Sequence, residues 1–321
     1  MFNTPILLIT FNRPEYTRKV LEVIRTQKPK QLFISQDGPR EGNELDKERI
    51  HAVRNVIREL VDWDCELHTL FQEKNLGCGP APAAGITWFF ENVEMGIILE
   101  DDAVPHPDFF EYASTLLEKY KDDESVRAIG SMNVDTQRWG DGSYYFSRMN
   151  RNLCAWATWR RAWNSFDYKM LNIPQSKLIN KLKKLDCDII EREYWCDRLA
   201  EIKKDACNGA SWDMQFLRSI WLNNGKGIIP NVNLCSNIGT VGDATHQMAE
   251  GNIIDNVPTK PILPLQYPTD TTIQKKADKQ FHYRYFEPNK AQWSLWLKLY
   301  NVFNRRFKKL LGIKGPLRKR K

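Results

Sequence analysis

Residues 95–102 read Met-Gly-Ile-Ile-Leu-Glu-Asp-Asp, an apolar run short enough for a buried strand that ends in three consecutive carboxylates, Glu100, Asp101 and Asp102. Three adjacent acids repel one another unless a cation sits among them. Hard oxygen ligands of this kind suit Mg²⁺ or Mn²⁺ carrying a phosphate-bearing molecule. In open α/β sheets, moreover, ligands bind beyond the carboxyl ends of the strands. The same triplet also serves as plain turn or cap chemistry, and Pro105, Pro107 and Asp108 do open a helical stretch just after it. Its neighbours must decide.

Arg13, at the mouth of an apolar run over 5–10, offers a forked guanidinium to a phosphate or a base. Asp37 is followed by Gly38, which fits either an acceptor for a ligand or an ordinary Asp-Gly turn. Asn75-Leu76-Gly77-Cys78-Gly79-Pro80 places two glycines where backbone can approach a ligand closely, ahead of a helix whose N-terminus favours anions. Ser211-Trp212-Asp213 precedes another helical stretch, so Asp213 is either a positioned carboxylate or a residue facing a helix dipole capped by Ser211. His246 follows a further loop, where a lone histidine is more often structural than a ligand.

These residues need a scaffold that brings them to one edge. Pro5 to Thr10 reads as an interior parallel strand, and Pro14 starts a helix with Val20, Leu21 and Ile24 at helical spacing. Strands over 31–35, 65–71 and 96–99 alternate with helices over 45–60 and 81–92. Such alternation predicts an α/β fold with a doubly wound, mainly parallel sheet flanked by helices. Beyond the triplet, strands are predicted over 126–131 and 144–147, and helices over 156–166, 176–185, 188–204 and 211–223. Trp156, Trp159 and Trp163 would then share one helix face as core packing, after Arg148, Arg151 and Cys154. Prolines 258, 261, 264 and 268 mark a wrapping segment.

Of the net charge of +7, ten lysines and arginines lie in residues 298–321 without a single acid; removing them leaves a body at −3. That confinement argues against a nucleic-acid groove. In the same region Trp293, Trp296, Tyr300, Phe303, Phe307 and Leu310 form an aromatic stripe, with Lys298, Arg305, Arg306, Lys308 and Lys309 elsewhere on the helix. A basic amphipathic helix of this sort can lie in the headgroup region of an anionic membrane, in preference to docking on the body. Seven cysteines without Cys-x-x-Cys spacing suggest reduced thiols, and no window reaches the roughly 18 apolar residues of a membrane span. With no basic flank or cleavage site at the start, residence is expected in the cytoplasm, peripherally on the inner face of the plasma membrane.

Taken in order, Ile-Thr-Phe-Asn-Arg-Pro at 9–14, Ser-Gln-Asp-Gly at 35–38, Lys-Asn-Leu-Gly at 74–77 and Leu-Glu-Asp-Asp at 99–102 resemble the nucleotide-sugar half of a GT-A glycosyltransferase. With Ser-Trp-Asp at 211–213 the set is most similar to the inverting N-acetylglucosaminyltransferase I type and its bacterial relatives, over residues 5–246. The resemblance implies a UDP-sugar donor, UDP-N-acetylglucosamine as the candidate, and a glycan or lipid-linked acceptor in surface polysaccharide biosynthesis. It puts Asp102 on a divalent Mn²⁺ or Mg²⁺ bridging the two phosphates, with His246 as a further metal ligand. Glu100 and Asp101 then lie near the ribose and sugar, Arg13, Asp37, Asn75 and Gly77 around the nucleotide, and Asp213 as catalytic base. Residues 1–103 would be the nucleotide-sugar half and 104–257 the acceptor half, followed by the wrapping segment 258–292 and the basic tail 293–321.

Two other classes compete. A nucleotidyltransferase shares a similar sheet and makes nucleotide sugars, but should carry a glycine-rich loop after the first strand, where this chain has Phe11-Asn12-Arg13-Pro14. A non-enzymatic membrane-surface protein would work through the tail alone.

Overall fold

Ile6-Leu7-Leu8-Ile9 has no polar side chain to turn toward water, and the chain buries the whole strand they start. A computed structural model describes residues 2–135, 137–149, 155–171, 175–205, 212–239, 256–290 and 293–310. Their elements run β1 (Ile6–Thr10), α1 (Pro14–Gln27), β2 (Gln31–Gln36), α2 (Glu44–Leu60), β3 (Glu66–Phe71), α3 (Pro80–Asn92), β4 (Met95–Glu100) and β5 (Ala103–Pro105). Then follow α4 (Asp108–Lys119), β6 (Val126–Gly130), β7 (Tyr144–Ser147), β8 (Ala155–Trp159), α5 (Arg160–Trp163), α6 (Gln175–Lys184), α7 (Ile189–Asp205) and α8 (Asp213–Leu222). The last are β9 (Lys226–Pro230), β10 (Cys235–Asn237), α9 (Lys275–Tyr285) and α10 (Leu295–Leu310).

Eight strands share one sheet in the order β3-β2-β1-β4-β8-β6-β9-β7, and β10 pairs with β5 apart from it. The first four are parallel, while β8 runs antiparallel to both β4 and β6. This is the predicted class, a mixed α/β fold whose mainly parallel sheet is flanked by helices. Strand periodicity of two sorts the side chains between its faces. Ile6, Leu8, Ile97 and Leu99 pack with Val20 and Ile24 of α1, Val53 and Ile57 of α2, and Phe109 of α4. Leu7, Phe33 and Ile98 face Ile86 and Phe89 of α3, Trp163 of α5, and Phe216 of α8. Leu8 has no exposed surface, so truncation to Ala should cost about 2–5 kcal/mol.

The predicted helix over 156–166 is corrected. Residues 155–159 form β8, paired antiparallel with β4 so that Trp156 lies opposite Ile98. In a helix Trp156 and Trp159 would share a face; in a strand three residues put them on opposite faces, and they do pack in different cores. Only Trp163 is helical, in the single turn of α5. A third core lies among α6, α7, α8 and α9, around Leu182, Trp195, Trp221 and Phe281. The helix α9 forms within the stretch read as proline-rich wrapping, preceded by a strap whose Ile262 and Leu263 amides donate to Asp108. Among the described residues, no helix is long and apolar enough to cross a membrane, and Cys65, Cys187 and Cys235 are free thiols.

Candidate active site

From β1 the chain winds outward to β2 and β3, then returns to lay β4 on the other side of β1. A crevice opens at such a reversal, between the carboxyl ends of β1 and β4. Ile9 lies opposite Glu100 across it. Arg13 is fixed there by the start of α1: Pro14 presets the first turn, and the Arg13 carbonyl accepts from the Thr17 amide at 3.0 Å and its hydroxyl at 2.9 Å. Its side chain turns back across the crevice.

The Arg13 guanidinium pairs with Asp101 and, at 3.1 Å, with Asp102. Asp101 also accepts from the Phe11 amide at 3.4 Å. Part of the repulsion among the three acids is therefore met by the chain's own cation, which the motif alone did not reveal. Burial opposes the Arg13 charge, but Asp101 and Asp102 outweigh it and hold the guanidinium more firmly protonated than usual. For Asp101 burial outweighs the arginine, and its carboxyl is pushed up to about 6. Burial, then Asp102, Asp101 and Asp213, raise Glu100 well above the ordinary carboxylate range. Asp213 thus belongs to the same acidic field.

Asp102 provides the test for a divalent ion. One of its oxygens, Oδ2, is taken by Arg13, whereas Oδ1 is buried and has no hydrogen-bond partner among the described residues. An orphan carboxylate oxygen is costly in that state, and it fits one protein ligand to an ion whose remaining ligands are phosphates and water. Among the described residues no group of three or more His, Cys, Asp or Glu side chains is placed to hold a metal. An ion fits here through Asp102 in that sparse mode, and His246 lies outside the described residues. Segment 238–239 presses on the same carboxylate: the Ile238 amide donates to the Asp102 carbonyl at 3.0 Å, and a Cβ on Gly239 would sit 2.1 Å from Oδ2.

Asp37, Asn75 and Gly77 form a second group, at the ends of β2 and β3. Asp37 accepts from the Gly38 and Leu76 amides at 2.8 Å each, from Asn75 Nδ2 at 2.9 Å and from the Gly77 amide at 3.1 Å. Burial raises its pKa against the pull of those amides. The carboxylate therefore shapes the loop. Gly38 is required because a Cβ would meet the Lys74 backbone at 2.5 Å, and Gly77 because its φ is +93°.

Asp213 is the first residue of α8, and Ser211 lies outside the described residues. Trp212 before it is buried and stacks on Trp156 of β8 at 5.5 Å. Since β8 neighbours β4, that stack carries Asp213 toward Glu100. Two residues that sequence reasoning passed over support the site. Gly239 cradles Asp102, as above. Asp46 is fully buried, receives Arg40 at 2.6 and 2.7 Å and Asn12 at 2.8 Å, and thereby holds the residue next to Arg13. Arg40 above all brings the Asp46 carboxyl down to about 2. The available signal was Asn43, three residues earlier, whose side chain caps α2 by accepting from the Asp46 amide.

No protein-family model matches the chain, and no curated protein matches it. Solved structures with a similar layout include 4-diphosphocytidyl-2C-methyl-D-erythritol synthase from Anaerococcus prevotii, 8% identical with a TM-score of 0.32 over 51% of this chain and 75% of that one. A UDP-glucose pyrophosphorylase complexed with UDP-glucose is 11% identical with a TM-score of 0.31, covering 51% and 79%. HddC from Yersinia pseudotuberculosis, complexed with GMP-PN, is 9% identical with a TM-score of 0.30, covering 50% and 78%. Likeness at this level assigns no chemistry.

Proposed function

We propose that the chain is an inverting glycosyltransferase that uses a UDP-sugar, UDP-N-acetylglucosamine as the first candidate, and a glycan or lipid-linked acceptor of surface polysaccharide synthesis at an anionic membrane surface. The observation that carries this reading is the meeting of Arg13, Asp101 and Asp102 at the sheet's reversal point, with Asp102 Oδ1 buried and unpaired among the described residues. A diphosphate there would find a forked cation in Arg13. A divalent ion held by Asp102 would supply Lewis-acid stabilisation of the leaving diphosphate. In the transfer the acceptor oxygen bonds to the anomeric carbon as the carbon–oxygen bond to UDP breaks. Asp213 takes the acceptor hydroxyl proton, from the side opposite the leaving group. The resemblance to the N-acetylglucosaminyltransferase I type supports this assignment, as does the influence of Asp213 on Glu100.

Nucleotidyl transfer is the second reading, because an enzyme of that class shares a similar sheet and also sets acids and a divalent ion around a nucleotide. Against it stands the loop between β1 and α1, which has no glycine and commits Arg13 to the acids. One pair of incubations separates them. Release of UDP from a UDP-sugar supports glycosyl transfer; release of pyrophosphate from UTP and a sugar 1-phosphate, with no UDP from any UDP-sugar, would replace it with nucleotidyl transfer.

A further inference from the structure

The helix α10 is docked by its charged face and turns its aromatic face outward. Val302 is buried beside Ile190 and Tyr283. Arg305 reaches Asp197 at 2.5 Å, Arg306 pairs with Glu193, and Lys298 donates to the Tyr283 hydroxyl at 2.9 Å and to Asp188 at 3.4 Å. Glu193 and Asp197 belong to α7, so Lys298, Arg305 and Arg306, three of the cations expected to reach lipid phosphate, are used within the protein. Trp296 is 84% exposed, Phe303 71% and Leu310 82%, with Tyr300 and Phe307 between them in the same stripe. At 100° per residue this stripe is centred roughly 140° from the docked face. An exposed apolar surface of that kind marks an interaction site.

We propose that α10 is a rigid membrane-contact element: its aromatic face enters the headgroup boundary of an anionic bilayer while its ion pairs to α7 clamp it to the transferase body. The inference rests on the membrane part of the proposed function and specifies which face makes the contact. Trp and Tyr suit a boundary that is apolar on one side and wet on the other. Just past α10 the sequence carries Lys314, Arg318, Lys319, Arg320 and Lys321 without an acid, a charge complement to anionic lipid. The same charge disfavours a second copy of the chain as the occupant, since two cationic tails would be brought together.

Flotation of the full chain with vesicles of phosphatidylcholine, with and without phosphatidylglycerol, tests this. The chain should float with the anionic vesicles and less so at high salt. Replacing Trp296, Phe303 and Phe307 together by Ser, all exposed, should leave the circular dichroism unchanged and lower partitioning at least about tenfold. Charge reversal at Arg318, Lys319 and Arg320 to Glu should abolish the dependence on phosphatidylglycerol while leaving α10 intact. The proposal is overturned if the chain does not float with anionic vesicles, if the triple Ser variant floats like the parent, or if those Ser substitutions instead dissociate a dimer. UDP binding measured on the same samples keeps the two readings apart: a chain that floats but binds no UDP defeats only the donor assignment.

Discussion

Replacing Arg13 by Gln leaves Asp101 and Asp102 adjacent without their counter-charge, with side chains only 4% and 11% exposed. At the 3.1 Å separation from Asp102 the gross attraction is about 5 kcal/mol for an effective dielectric of 20. Breaking a buried pair and stranding its partner costs about 3–5 kcal/mol. Because the Arg13 side chain is itself 21% exposed, screening by solvent lowers the expected net loss to about 2–3 kcal/mol. For a chain of this size that corresponds to a fall in Tm of about 3–5 °C. Thermal melts in EDTA read it directly. Adding Mn²⁺ should then recover more stability in the variant than in the parent, since the ion enters the same acidic field. Asp102→Asn made in the Arg13→Gln background should also restore stability by relieving like-charge repulsion. A variant within about 0.5 kcal/mol of the parent, and insensitive to Asp102→Asn, would show that Arg13 does not neutralise these acids.

Three further outcomes follow from other contacts. Gly239→Ala should displace the Asp102 carboxylate and abolish Mn²⁺-dependent UDP binding while urea unfolding remains cooperative; unaltered binding would mean the segment yields freely. Asp37→Asn should cost about 2 kcal/mol and speed hydrogen exchange at the Leu76 and Gly77 amides, whose acceptor it weakens; unchanged exchange would contradict its role in shaping the loop. Burial depresses the His282 pKa from about 6.5 to about 4, and neither ring nitrogen has a hydrogen-bond partner among the described residues. The unfolded chain therefore binds the proton first as pH falls. Stability present above pH 6.5 should decline by up to about 3 kcal/mol toward pH 4, and His282→Leu should flatten that slope relative to the parent.

The first half of the fold was legible because interior parallel strands are continuous apolar runs, as in Ile6-Leu7-Leu8-Ile9 and Ile97-Ile98-Leu99, with Pro14 and Pro80 marking helix starts. Ala155-Trp-Ala-Thr-Trp misled because it has one β-branched residue and a tryptophan spacing of three that also fits a helix. β5 and β10, at three residues each, are too short to show a period and exist through pairing across more than a hundred residues. At the site, the triplet and Arg13 could be picked out by type, but their mutual ion pairs are a product of topology. Asp37 could likewise be picked out by type, but that the loop at 75–77 donates to its oxygens is a product of tertiary packing. The stripe on α10 was visible as a pattern; that its cationic side faces α7 depends on Glu193 and Asp197, far away in sequence.

Calorimetric titration of UDP into the full chain, with Mn²⁺ and then with EDTA, bears most directly on the reversal-point crevice as a nucleotide-diphosphate site. The account predicts binding that requires the metal and is lost in Asp102→Ala. Absence of binding in Mn²⁺, or equal affinity in EDTA and in Asp102→Ala, would contradict it.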